Sequence, residues 1–82
     1  MTSHIDPEAV AIGRAVHGAI ITAGFTLVEA AERTGIGYRT LSRRVNGTLP
    51  FTFPELARIA TLCGVKVSDL AAAAERISAS AA

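Results

Sequence analysis

The chain has 82 residues, half of them apolar, with a formal net charge of +1 and a single cysteine. This is room for one small core and too apolar for a disordered chain. It excludes an internal disulfide, a run of ~20 apolar residues able to span a bilayer, and, at MTSHIDPE, the basic-then-apolar layout of a secretory signal, so a cytoplasmic protein is expected.

Five helices can be read in chain order. Asp6 before Pro7 is a capping side chain followed by a proline whose missing N–H costs nothing at the first helical position. Ile12, Val16 and Ile20, with Ala19 and Ala23 beside them, mark one buried face of a helix over 7–23, which Gly24 ends. Thr26 and Glu29 form a capping box that opens a second helix over 27–34, with Leu27, Ala30 and Ala31 apolar. Gly35 closes it and opens a tight turn, from which Ile36 can plug the core.

A third helix is expected over 38–45, with Leu41 and Val45 facing the core and Asn46-Gly47 as its stop. After a loop, Thr52 and Glu55 make a second capping box with Pro54 in the first turn. The fourth helix, 53–63, carries Phe53, Leu56, Ile59, Ala60 and Cys63 as its apolar stripe and stops at Gly64. The fifth, 67–77, has Leu70, Ala73, Ala74 and Ile77 on one side; residues 78–82 read as a frayed tail. No segment alternates with period two, so the fold class is all-α, a compact five-helix bundle in a single domain over residues 1–82.

The near-zero net charge hides an asymmetry. Residues 33–47 hold Arg33, Arg39, Arg43 and Arg44 and no acid, while all seven acids lie elsewhere. Such a patch on a near-neutral body can hold a polyanion. At 100° per residue, Arg39 and Arg43 fall opposite Leu41 and Val45, one turn apart. Ser42 is lateral, and Arg44 lies nearer the core edge, where it can reach a phosphate or an acid. A guanidinium fork on an exposed helix face can bond O6 and N7 of guanine together. Tyr38 projects from the first turn, and Gly37 leaves the approach to that turn open.

Two short helices around a glycine-containing turn are the frame that sets one helix into the DNA major groove. Here the stretch is TLVEAAERTGIGYRTLSRRVNG, residues 26–47. Phe25, Thr26, Leu27, Val28, Glu29, Ala30 and Ala31, then Gly35 and Ile36, then Thr40, Leu41, Ser42, Asn46 and Gly47, resemble the helix-turn-helix of the phage repressor and Cro family, lambda repressor-like and XRE-type. Downstream, FTFPELARIATLCGVKVSDL resembles that family's fourth helix and the start of its fifth, so the likeness spans roughly residues 9–77. It implies a lambda-repressor-like five-helix bundle with the third helix as recognition helix. It also implies base contacts from Tyr38, Arg39 and Arg43, and phosphate contacts from Gly37, Ser42, Arg44, Asn46 and Thr48. Leu27, Gly37 and Val45 depart from the glutamine, the serine or threonine, and the glutamate common in the family.

The expected function is sequence-specific double-stranded DNA binding by a transcriptional repressor, a phage immunity repressor or Cro-like protein, with a protein-interaction module such as an antitoxin or anti-repressor as the alternative. Leu70, Ala74 and Ile77 form a narrow apolar strip that either packs on its own core or joins two copies on a palindromic operator. Arg33 reads as solvated or as a partner of Glu29, and Cys63 as inert core. His4 and His17 lack metal-ligand spacing, and no nucleophile, base and orienting group assemble into a catalytic set. No metal, cofactor, small-molecule ligand, membrane association or enzymatic activity is therefore expected.

Overall fold

The computed structural model describes residues 6–81, so His4 and the last residue of the expected tail lie outside the described residues. Five helices follow one another: α1 (Pro7–Thr22), α2 (Leu27–Thr34), α3 (Tyr38–Val45), α4 (Phe53–Cys63) and α5 (Val67–Ala81). The fold is all-α, with a helix-turn-helix formed by α2 and α3. Among the described residues there is no strand, and no single helix is long and apolar enough to cross a membrane.

Local chemistry starts the helices where the sequence places the starts. Asp6 Oδ1 accepts from the Glu8 N–H at 3.0 Å, ahead of Pro7. In α2 the Glu29 N–H donates to Thr26 Oγ1 at 3.1 Å and the Thr26 N–H to Glu29 Oε1 at 2.8 Å. The same reciprocal box opens α4, at 3.3 Å from the Glu55 N–H to Thr52 Oγ1 and 2.9 Å from the Thr52 N–H to Glu55 Oε1. Each box satisfies two amides that a helix start would otherwise leave open.

Ends were less legible. α1 stops at Thr22, one residue early: Gly24 takes φ +91°, and the Gly24 and Phe25 N–H groups turn back to the Ile21 and Ile20 carbonyls at 2.9 and 3.0 Å. α5 runs on to Ala81, well past residue 77. The expected fraying of 78–82 is thus corrected over the described part: nothing after Ile77 breaks a helix, and alanine propagates one without needing a tertiary anchor.

The core is a contiguous cluster in which Val16, Ile20, Ala30, Leu41 and Ile59 are fully buried. α1 is its spine and packs against all four other helices. The expected α1 face holds at Val16 and Ile20, but Ile12 and Ala19 are half-buried and Ala23 is exposed. Burial extends instead to Ala9, Ala11 and Ala15, because α1 is clasped on more than one side. Phe53, expected in the α4 stripe, is 68 % exposed: it is the first residue of α4, a turn short of where Leu56 and Ile59 reach the core.

Two glycines set how α1 meets the end of α3. A Cβ on Gly13 would lie 2.5 Å from the Val45 carbonyl oxygen and 2.8 Å from that of Arg44. Gly47, at φ +81°, stops α3 in a left-handed conformation, and a Cβ there would lie 2.7 Å from Val10 Cγ2. α1 and the α3 terminus touch backbone to backbone, a distance that no side chain larger than hydrogen permits.

Candidate nucleic-acid interface

α3 is eight residues long, too short to hold itself in water, so its neighbours fix it. Gly35 takes φ +75° and reverses the chain after α2, and Ile36 drops into the core from the turn, as expected. Gly37 caps α3 without a side-chain hydrogen bond. Leu41 is fully buried and Val45 nearly so, which fixes the rotation of the helix. Truncating a Leu41-like core residue typically costs about 2–5 kcal/mol.

That rotation sends Arg39 and Arg43 outward. Both are exposed, and Tyr38 beside them is 52 % exposed. Among the described residues none of the three has a side-chain hydrogen bond within the chain, and neither arginine has an ion pair. Gly37, Asn46 and Thr48 are exposed around the same helix, and Ser42 is half-buried at its side. The Thr48 N–H donates to the Arg43 carbonyl at 3.0 Å, so the loop after α3 folds back on the helix end.

Arg44 takes the other option open to it, the acid. Its Nε sits 2.9 Å from Glu55 Oε1, and its Nη1 donates to the Pro50 carbonyl at 3.0 Å. The Nε–H is not aimed at the carboxylate, so the former contact is an ion pair rather than a hydrogen bond. Half-buried and engaged on two sides, Arg44 braces α3 against the α4 start; a phosphate contact from it would have to displace that pairing. Burial opposes the charge on Glu55, but the Thr52 N–H and the Arg44 guanidinium outweigh it and hold the carboxyl below its usual range. The Thr26 N–H and hydroxyl likewise lower Glu29, helped weakly by Arg33. Arg33 itself lies over the Phe25 ring, 5.1 Å from its centroid, a cation–π contact that sequence reading missed.

Leu70 is 2 % exposed and belongs to the core, which leaves almost nothing of it for a second copy to touch. Ala74 and Ile77 remain half-buried at the surface of α5. Cys63 is half-buried beside a groove between α1 and α5 rather than sealed in the core, and burial raises its thiol pKa, which suppresses the reactive thiolate. His17 is exposed on α1, as expected of a surface position. Among the described residues no group of three or more metal-ligating side chains converges.

Sequence reasoning also missed Gly13. Its signal was available: a glycine in mid-helix costs about 1 kcal/mol against alanine, so a close packing partner is the usual reason for it. A family model described as a helix-turn-helix domain matches residues 12–74. No curated protein and no solved structure gives a significant match.

Proposed function

The chain belongs to this helix-turn-helix domain family, and from that premise we propose that it is a sequence-specific double-stranded DNA-binding transcriptional regulator. In this reading it is a cytoplasmic repressor of the phage immunity repressor or Cro-like type, acting by occupying its operator. α3 lies in the major groove. Arg39 and Arg43 read base edges, guanine by preference, and Tyr38 reads beside them. Gly37, Ser42, Asn46 and Thr48 meet phosphates, while Arg44 holds the helix from behind. Two copies meet on a palindromic operator, with Ala74 and Ile77 at the α5 contact.

One observation carries the reading: two guanidiniums, one turn apart, stand unpartnered among the described residues on the outer face of a helix whose inner face is locked in the core. An arginine pair meant only for solubility needs no such rigid mounting. The protein-interaction alternative draws support from a different place. Leu49 within the loop after α3 and Phe53 just beyond it, 38 % and 68 % exposed, offer apolar contact.

Selection of bound duplexes from a random pool separates the two readings. The wild-type chain is expected to enrich one motif that an Arg39→Ala, Arg43→Ala variant loses, and a palindrome in it marks two bound copies. No enrichment, or enrichment that the variant keeps, overturns α3 as the reading helix and favours the protein partner.

A further inference from the structure

α1 carries a second basic surface that major-groove reading leaves unused. Arg14 and His17 are exposed where α1 runs past the end of α3. With Asn46 they border an open cleft of about 360 Å³, lined further by Val10, Gly18 and Val45. No carboxylate lines this cleft. Among the described residues neither Arg14 nor His17 has a side-chain hydrogen bond or ion pair. Across α1, Arg14 also borders the groove that contains Asp69, without pairing to it. Gly18 faces open space: a Cβ added there would meet nothing within 4 Å.

We propose that Arg14 and His17 form a phosphate anchor separate from the reading helix, binding the DNA phosphodiester next to the one met by Asn46. The inference rests on the DNA-binding reading above. When α3 lies in the groove, the backbone bordering that groove passes the end of the helix, and Asn46 opens directly onto the cleft. A guanidinium fork matches two phosphate oxygens, and an imidazole N–H adds a donor. The contact carries no base information; it sets register and adds sequence-independent affinity. It also gives α1, the spine of the core, a direct purchase on the DNA.

The test measures binding of the best-enriched duplex and an unrelated duplex, by fluorescence anisotropy, between 50 and 200 mM salt. An Arg14→Ala, His17→Ala variant is expected to bind both duplexes about fivefold more weakly near 0.15 M salt, with the slope of log K against log salt reduced by about one. Gly18→Glu, which puts a carboxylate into the cleft and improves helix propensity, is expected to weaken both duplexes in the same way. Arg39→Ala, Arg43→Ala should instead abolish the preference between the duplexes. Unchanged affinity and slope in both cleft variants, with the wild type binding normally, overturns the anchor and leaves the DNA reading standing. A wild-type chain that binds neither duplex overturns both.

Discussion

α2 and α4 start alike and finish alike, yet they serve different ends. Both open on a Thr-x-x-Glu box with the same two hydrogen bonds, and both close at a left-handed glycine. The Glu29 carboxylate stays in solvent. The Glu55 carboxylate, in the same local position, also receives the Arg44 guanidinium from the helix before it. The same four-residue code therefore starts one helix and, in the other, also clamps the end of α3. A local motif fixes where a helix begins; what the motif is worth depends on what the fold brings to its free side.

The largest test asks whether α3 needs the α4 clamp at all, since Gly13 and Gly47 hold the same terminus from the α1 side. Gly13→Ala forces a methyl against two carbonyl oxygens, and overpacking of this kind costs about 1–3 kcal/mol. Chemical denaturation should show that loss. An unchanged midpoint would mean that α1 and α3 separate freely and that the clamp carries the terminus.

Next comes the carboxylate pair itself. Glutamine keeps the capping geometry but removes the charge, so it isolates what the two boxes do not share. Glu55→Gln is expected to cost about 1 kcal/mol, or a fall of about 4–8 °C in Tm for a domain of this size. Glu29→Gln should shift Tm by less. Equal shifts would erase the distinction between the boxes.

The smallest effect is on pH. Both carboxyls titrate below their usual value in the folded chain, so the folded state holds fewer protons than the unfolded one around and below pH 4.5. Their contribution is present above that pH and is lost as pH falls through the lowered folded values. Thermal melts between pH 3 and 7 should show this acid limb, and Glu55→Gln and Glu29→Gln should each flatten it.

How much of this the sequence showed follows from the range of the interaction. The caps at Asp6, Thr26 and Thr52 act across two or three residues and were legible in full. So was the orientation of α3, because Leu41 and Val45 leave Arg39 and Arg43 only one side to occupy. Arg44 was half legible: its angle on the helix put it near the core edge, but nothing local says that Glu55, eleven residues on, waits there. Phe53 was misplaced for a related reason, while for Leu70 the pattern left open own core or second copy, and it lies in the core. Period marks a stripe, but which end of a stripe meets the core depends on where neighbouring helices stop. The cleft of Arg14 and His17 was invisible, since its other wall comes from the far end of α3.

The division of α3 into a buried face and an outer face also bears on where the chain tolerates substitution. Tyr38, Arg39 and Arg43 are exposed and none belongs to the core cluster, so replacing them is expected to change stability little. Gly13 and Gly47, with backbone against them, have no such freedom. Single substitutions on the outer face of α3 are therefore expected to leave the fold standing, whereas a side chain added at the joint between α1 and α3 forces backbone to move.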